Sequence, residues 1–144
     1  MVTSVRKMLE GKSEIYTVSH DALVFEALRI MAERNIGAVL VTDGDELAGI
    51  LSERDYARKV ILHGKSSRET RVSAIMTSDV ICIDPSWTAE QCMALMTEKR
   101  VRHLPVVERG RLIGVVSIGD VVRAVIDEQL TTIGTLERYI ASGA

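Results

Sequence analysis

A seven-residue pattern occurs twice in this chain, as GILSERD at residues 49–55 and as GVVSIGD at residues 114–120. Each copy consists of a glycine, two aliphatic residues, a serine, two variable residues and an aspartate. The similarity extends outward at the same offset of 65 residues, so that Met31 matches Met96. A fixed period of this kind indicates an internal duplication. A site built by the pattern is therefore expected twice, or once between the two copies.

The length and composition fit two small repeats that share one core. The chain has 144 residues, and a repeat of roughly 60 residues can bury only a marginal core on its own. Apolar residues make up 47% of the sequence, but aromatic residues only 3%. We therefore expect an aliphatic core and an α/β (α+β) fold, in which two β-α-β-β-α repeats pack together with pseudo-two-fold symmetry.

The first repeat is predicted at residues 1–63 and includes a short amphipathic helix at its N-terminus. A strand, a helix, two strands joined by a turn, and a second helix follow, at residues 15–18, 22–35, 38–41, 47–51 and 53–63. Gly37 is expected to end the first of these helices. The sequence Asp43-Gly44-Asp45 predicts the turn between the paired strands.

The second repeat is predicted at residues 72–129, after a polar linker at residues 64–71. Its elements keep the same order, at residues 80–83, 88–100, 104–107, 112–116 and 118–129. Thr88 and Gln91 have the spacing of a capping box at the start of a helix. Residues 130–144 are expected to form a separate amphipathic helix. Because so short a helix cannot bury its apolar stripe alone, it should pack on the body of the protein or on a second copy.

The charge and the residue inventory argue against several classes of protein. A net charge of -2 without a basic run disfavours binding to nucleic acid. The sequence shows no signal peptide and no membrane span, so we expect a cytoplasmic protein. Cys82 and Cys92 fit small core residues, and the three histidines lack metal-ligand spacing, so no metal site is expected. Neither a nucleophile–base pair nor a phosphate-binding loop motif is present, so we expect no enzyme and no catalytic cofactor.

The repeated Ser-x-x-Asp has two interpretations. Ser52 and Ser117 stand where a strand gives way to a helix, and Asp55 and Asp120 lie three residues further on. This is the spacing of a capping box, which needs no ligand. A helix N-terminus also attracts anions, and a carboxylate beside it could accept hydrogen bonds from a ribose diol. The glycine of each copy would let a backbone or a flat ring approach closely. Together these groups could bind a nucleoside monophosphate.

Residues 5–126 resemble a tandem pair of cystathionine β-synthase (CBS) domains, also called a Bateman module. The resemblance rests on the element order, on the repeated Gly-x-x-Ser-x-x-Asp pattern and on the segment RHLPVV at residues 102–107. Members of this family bind adenosine-containing ligands in clefts between the two repeats. The resemblance therefore implies a regulatory module that senses AMP, ADP, ATP, NAD or S-adenosylmethionine, with AMP the first choice. Such a module acts by conformational change on an effector protein, which this sequence does not identify.

The resemblance also implies roles for individual residues. Asp55 and Asp120 would hold ribose hydroxyls, with Ser52 and Ser117 nearby. Thr17 and Cys82 would flank the adenine, and Arg102 and His103 would reach a phosphate. Arg54, at the start of a helix, could add a third positive group at the Asp55 site.

The two copies are not equivalent, because Gly37 and Ala38 replace Arg102 and His103 in the first repeat. Since related modules place phosphate contacts across the pair, we expect the Asp55 site to bind phosphate better and the Asp120 site to be more permissive. Arg102 as a surface arginine and His103 as a strand-edge histidine remain open alternatives.

Two functions from different classes remain after these considerations. The first is the adenine-nucleotide sensor, and the second is a structural dimerisation module that binds no ligand. We expect a homodimer in both cases, because modules of this family commonly pair through their helical faces. The intact aspartates of the two patterns favour the sensor.

Overall fold

The structure, a computed structural model, describes residues 2–12 and 14–143, and for Ser142 and Gly143 it describes the backbone alone. The helices are α1 (Val5–Leu9), α2 (Val24–Arg34), α3 (Glu53–Lys59), α4 (Ala89–Lys99) and α5 (Ile118–Gly143). The strands are β1 (Thr17–Ser19), β2 (Ala38–Asp43), β3 (Glu46–Ser52), β4 (His103–Glu108) and β5 (Arg111–Ser117). Short 3₁₀ turns lie at Ile61–His63 and Val72–Ala74. The mixed α/β class and the two β/α repeats are confirmed.

The chain divides into two compact units whose boundaries differ from those of the repeats. The central unit is Glu14–Ile81, and the terminal unit joins Met1–Ser13 to Cys82–Ala144. Helix α1, which the sequence assigned to the first repeat, therefore packs with the second. The backbone shows this directly, because the Val5 amide donates to the Trp87 carbonyl at 2.7 Å.

The segment after the linker makes the matching exchange. The Val72 amide donates to the Ala22 carbonyl at 2.8 Å, within the central unit. The leading segment of each repeat thus packs on the other repeat. Periodicity within a segment does not reveal such an exchange, because it reports only which face of the segment is apolar.

A three-stranded sheet organises the central unit. Its order is β1-β2-β3, with β1 parallel to β2 and β2 antiparallel to β3. Gly44 has a φ of 63° in the turn between β2 and β3, which confirms the predicted hairpin. Helix α2 packs on this sheet through Val24, Ala27 and Met31, and the core is aliphatic as predicted.

The terminal unit has only the two-stranded sheet β4-β5, and the strand predicted at residues 80–83 was wrong. Ile83 alone pairs with Val106, in a parallel bridge. In the first copy, the His20 amide extends the pairing by donating to the Thr42 carbonyl at 2.9 Å. The matching position in the second copy is Pro85, which has no amide hydrogen to donate. The Leu40 amide, which donates to the Tyr16 carbonyl in the first copy, is likewise replaced by Pro105, so two prolines together shorten the second sheet.

The end of helix α2 also differs from expectation, whereas α4 ends at the predicted residue, Arg100. Helix α2 ends at Asn35 with a φ of 55°, and not through Gly37 as predicted. Helix α4 ends in the same way at Arg100, with a φ of 56°. Asparagine tolerates this left-handed conformation better than most residues, whereas arginine adopts it at some cost. The capping box of Thr88 and Gln91 at the start of α4 is confirmed.

Helix α5 runs without a break from Ile118, so the separate helix expected at residues 130–144 is instead its continuation. Ala144 lies outside the described residues. Val121 and Ala124 are buried near the start of α5, but Leu130, Ile133 and Leu136 are exposed. The second half of this helix therefore presents apolar side chains to solvent.

Candidate functional site

Each copy of the repeated pattern forms a reciprocal capping box where a strand passes into a helix. The Asp55 amide donates to Ser52 Oγ at 3.1 Å, and the Ser52 amide donates to Asp55 Oδ2 at 3.0 Å. In the second copy, the corresponding distances between Asp120 and Ser117 are 3.2 Å and 2.8 Å. The capping interpretation of the pattern is therefore confirmed in both units, and any ligand must use what the boxes leave available.

The glycine of each copy allows a close approach by the protein itself. A side-chain carbon at Gly49 would lie 2.7 Å from the carbonyl oxygen of Thr77. At Gly114 it would lie 2.7 Å from Cδ2 of Leu9. Of the two partners expected from the sequence, a backbone or a flat ring, the first copy has a backbone and the second an aliphatic side chain. In each case the neighbour belongs to the exchanged leading segment.

Asp55 collects more contacts than a cap requires. Its Oδ2 accepts from the Ser52 hydroxyl at 3.1 Å, and its Oδ1 accepts from the Thr77 hydroxyl at 3.3 Å. Lys59, one turn along α3, places its Nζ 3.1 Å from Oδ1 of Asp55 and donates to the Ile75 carbonyl at 3.0 Å. Only 13% of the Asp55 side chain is exposed. The carboxylate is thus held by three elements of the central unit.

Asp120 is equally enclosed, with 14% of its side chain exposed, but its counter-ion has a different origin. Lys12, from the segment after α1, forms an ion pair with Asp120 Oδ2 and donates to the Val115 carbonyl at 2.9 Å. Burial raises the pKa of Asp120. The hydrogen bonds from Lys12 and from the Ser117 amide outweigh it and leave the pKa below its ordinary value of 3.8.

Arg102 and His103 stand beside this second carboxylate. His103 pairs with Ser117 across β4 and β5, and the Ile118 amide donates to the Arg102 carbonyl at 2.8 Å. Burial lowers the pKa of His103 below 6.5, and the charges of Lys12 and Arg102 lower it further, against the opposing effect of Asp120. The imidazole is therefore neutral at pH 7. In the terminal unit, Lys12 and Arg123 lie beside Asp120, and the charges of Lys12, Asp120 and Arg102 all act on His103.

The other predicted residues of the central unit lie at the same end of its sheet. Ala38 pairs with Ser52, and the Gly37 carbonyl accepts from the Glu53 amide at 3.0 Å. Thr17 is exposed on β1, where it pairs with Leu40, and Arg54 is exposed in the first turn of α3. Gly37, Ala38, Ser52 and Asp55 are thus brought together, with Thr17 on the neighbouring strand.

The two cysteines have different environments, so the prediction that both belong to the core was half wrong. Cys92 is buried on α4, and burial raises the pKa of its thiol to about 11. Cys82 is exposed beside the bridge at Ile83, although partial burial raises its pKa as well. Its exposure is compatible with contact to a ligand in the terminal unit.

Three polar residues of these sites were missed from the sequence. Lys59 could have been found, because it follows Asp55 at the i,i+4 spacing that favours an ion pair on a helix. Thr77 and Lys12 gave no such signal, since each reaches its aspartate from a segment distant in sequence. The exchange of leading segments is what brings them there.

The described part of the chain contains no group of three or more metal-ligating side chains suited to a metal ion. Within residues 2–12 and 14–143, no helix is both long and apolar enough to cross a membrane.

Comparison with known proteins agrees with this architecture. The mitochondrial CBS domain-containing protein CBSX3 of Arabidopsis thaliana is 44% identical over 128 residues, which are 85% of this chain and 62% of that protein. This chain thus spans less than two thirds of that relative.

Two solved structures match the fold. A candidate signal-transduction protein with CBS domains from Burkholderia ambifaria is 53% identical, with a TM-score of 0.85 over 88% of this chain and 96% of that one. A hexameric CBS-CP12 protein from bloom-forming cyanobacteria is 26% identical, with a TM-score of 0.76 over 85% of this chain and 67% of that one.

The family model of the CBS domain matches residues 5–62 and again residues 72–127. These two ranges contain both copies of the repeated pattern and both capping boxes. The chain therefore belongs to the CBS domain family and carries two copies of the domain in tandem.

Proposed function

We propose that this protein is a regulatory module that binds an adenine nucleotide at each of its two Ser-x-x-Asp junctions. The observation that carries the proposal is the enclosure of Asp55 and Asp120, each paired with a lysine in addition to its capping serine. A cap alone needs neither the lysine nor the burial. A carboxylate, an ammonium group and a helix N-terminus are together the groups that a ribose and a phosphate require.

The ligand that fits this chemistry best is AMP, followed by ADP, ATP, NAD and S-adenosylmethionine. The ribose diol would donate to the aspartate, and the phosphate would approach the helix N-terminus and the nearby cations. Thr17 in the central unit and Cys82 in the terminal unit would flank the adenine ring. The carboxylates would hold the ribose, whereas Thr17 and Cys82 would contact the base.

A second candidate function has its own support. Each aspartate already has a complete set of partners within its unit, and the described residues hold no buried side-chain nitrogen or oxygen without a hydrogen bond. A CBS pair that serves only as a dimerisation module would show the same closed arrangement. Ligand binding therefore has to displace at least one of these partners.

The test of the proposed function is the stability of the protein with and without nucleotide. A ligand that binds only the folded state adds about 2.7 kcal/mol at a hundredfold excess over its dissociation constant. We expect millimolar AMP to raise the melting temperature and GMP to raise it less. The matched control is the doubly substituted Asp55→Asn, Asp120→Asn protein, which AMP should no longer stabilise. A melting temperature that none of the five adenosine ligands changes would support the dimerisation module.

Mass spectrometry of small molecules released from protein purified without added nucleotide would identify the ligand. We expect an adenosine compound at up to two molecules per chain. Release of other compounds alone would contradict the assignment.

We further propose that the protein forms a homodimer through the exposed half of α5 and acts in this form on an effector protein. Ile126, Ile133 and Ile140 recur every seven residues, with Leu136 between the last two, as in the seam of a coiled coil. In an antiparallel pair centred on Ile133, Ile126 lies opposite Ile140. Each copy thus presents the same apolar residues to the other, as a two-fold pair requires.

Sedimentation at micromolar concentration tests this assembly. We expect a dimer, which Ile133→Asp converts to a monomer, while Thr135→Asp on another face of the same turn leaves it dimeric. A monomer for the unaltered chain would contradict the dimer, and dimerisation of the Ile133→Asp protein would contradict the seam.

A further inference from the structure

We infer that Lys12 is an exchangeable counter-ion that makes the Asp120 site selective for phosphorylated ligands over the free nucleoside. This inference rests on the proposed function of that site. Lys12 lies outside both copies of the repeated pattern. It would make the Asp120 site prefer AMP over adenosine, and the described residues give the Asp55 site no equivalent of it.

Lys12 reaches Asp120 from a turn and not from the helix that carries the aspartate. The chain leaves α1 through Gly11, whose φ is 85°, and the Lys12 amide donates to the Leu9 carbonyl at 3.1 Å. Its side chain is 41% exposed, so the ammonium group can move into solvent or toward a ligand while the turn keeps its place. The turn therefore tethers the charge beside the carboxylate without fixing its partner.

The central unit shows the contrasting arrangement. Lys59 lies on α3 itself, one turn after Asp55, and donates to the Ile75 carbonyl as Lys12 donates to the Val115 carbonyl. Asp55 also accepts from the Thr77 hydroxyl, so part of its charge remains satisfied if Lys59 departs. The Asp120 contacts in the structure come from Ser117, from Lys12 and, at 4.0 Å, from the largely exposed Arg123. Lys12 is thus the principal counter-ion of Asp120.

Charge favours an anionic ligand at the Asp120 site. Lys12 and Arg123, the two cations paired with Asp120, together outweigh its single charge. A ribose diol that donates to the Asp120 carboxylate competes with Lys12 for Oδ2. When the ligand carries a phosphate, the displaced ammonium gains a new anionic partner. When the ligand is adenosine, the ammonium loses its partner and gains none, so the nucleoside binds at a disadvantage.

Calorimetric titration of this chain with AMP and with adenosine tests this exchange. The Asp55→Asn substitution serves as the background in every sample, so that the Asp120 site reports alone. In that background we expect Lys12→Met to weaken AMP binding about 10-fold or more. The substitution removes the hydrogen bond from the Lys12 ammonium to the phosphate, and hydrogen bonds to charged groups are stronger than neutral ones. Adenosine should bind as well as before or better, because its competitor is gone.

Two further variants separate charge from structure. Lys12→Arg keeps the charge and should keep the preference for AMP. Lys7→Met removes an exposed lysine that pairs with Glu10 within the same segment, and should change neither affinity. Equal factors of change for AMP and adenosine in the Lys12→Met protein would overturn the inference while leaving the proposed function intact. If the unaltered chain binds neither compound, both fail together.

A measurement without ligand tests the same charge cluster. Because Lys12 lowers the pKa of His103, Lys12→Met should raise the pKa of that imidazole. NMR titration of the histidine ring protons can follow it, with His20 and His63 as internal references in the other unit. An unchanged His103 titration would contradict the placement of Lys12 in this cluster.

Discussion

The two units of this protein carry the same seven-residue pattern and the same capping box, but the aspartate of the box is paired with a different lysine in each. In the central unit, Asp55 is paired with Lys59 from its own helix. In the terminal unit, Asp120 is paired with Lys12 from a segment more than a hundred residues away in sequence. The pattern thus determines the cap, whereas the counter-ion depends on which leading segment folds against it.

This difference shows that a duplicated motif need not produce two identical sites. The repeat conserves what the backbone needs at the strand-to-helix junction, a serine and an aspartate that satisfy each other's amides. The surroundings are free to diverge, and Gly37 and Ala38 stand where the second copy has Arg102 and His103. Substitutions in the two units can therefore test how far the surroundings of Asp55 and Asp120 differ.

The largest effect is expected from the two glycines. A methyl group at Gly49 would meet the Thr77 backbone, which cannot yield without moving the exchanged segment, whereas at Gly114 it would meet the flexible end of Leu9. Gly49→Ala should lower the free energy of unfolding by about 3 kcal/mol, at the upper end for overpacking, and Gly114→Ala by about 1 kcal/mol.

Urea denaturation of the two variants measures the difference. Gly64→Ala is unsuitable as a control because its φ is positive, whereas Gly134→Ala, within α5 and with open space around it, is suitable. Equal destabilisation by Gly49→Ala and Gly114→Ala would show that the two leading segments yield equally.

A smaller effect is expected from Arg102. Arg102→Ala should weaken binding of AMP about 10-fold and binding of adenosine little, because only AMP carries a phosphate and hydrogen bonds to charged groups contribute about 1.5–3 kcal/mol. Since Arg102 and Asp120 lie in one unit, we expect this loss to persist in the Asp55→Asn background and to vanish in the Asp120→Asn background. Calorimetric titration decides between the sites.

The reverse dependence would assign Arg102 to the Asp55 site, as the family resemblance implied. Equal losses for AMP and adenosine would remove the phosphate role of Arg102 altogether.

The smallest effect concerns acid stability. The folded-state pKa of Asp120 lies below its ordinary value of 3.8, so the unfolded chain binds the proton more readily. The resulting stabilisation is present above about pH 4 and is lost as the pH falls through the folded-state pKa. Asp120→Asn should therefore destabilise the protein at pH 7, and its difference from the unaltered protein should shrink below pH 4. A difference in the free energy of unfolding between the two proteins that stays constant down to pH 2 would contradict this account.

Much of the fold could be predicted from the sequence, because its strongest signals are local or repeated. The duplication aligned both capping boxes, and the hairpin at Gly44 followed from turn chemistry. The helix of Thr88 and Gln91 began where its box predicted. These features depend on residues within a few positions of one another, which is the range over which periodicity and capping act.

The predictions that failed depended on contacts between segments distant in sequence or on the loss of individual amide hydrogens. The strand predicted at residues 80–83 is absent because Pro85 and Pro105 have no amide hydrogens where His20 and Leu40 donate in the first sheet. Helix α1 belongs to the first copy of the domain by sequence, but its packing with the second copy was not predicted, because packing between distant segments leaves no periodic signal. Lys12 was missed for the same reason.

The serines and aspartates of the candidate site were identified from the sequence. The sequence could not show which partners these side chains bind in the folded protein. The structure shows both aspartates engaged in caps and ion pairs, which the pattern alone left as one of two alternatives. We propose that the same two carboxylates also bind the ribose of an adenine nucleotide.

Titration calorimetry with AMP tests that claim most directly. We predict two binding sites per chain for the unaltered protein and one site for either Asp55→Ala or Asp120→Ala. Affinity at the substituted site should be reduced roughly 10- to 150-fold. Glu53→Ala, an exposed carboxylate in the first turn of α3, is the matched control and should keep both sites. A protein carrying both aspartate substitutions that still binds two molecules of AMP with unchanged affinity would contradict the account.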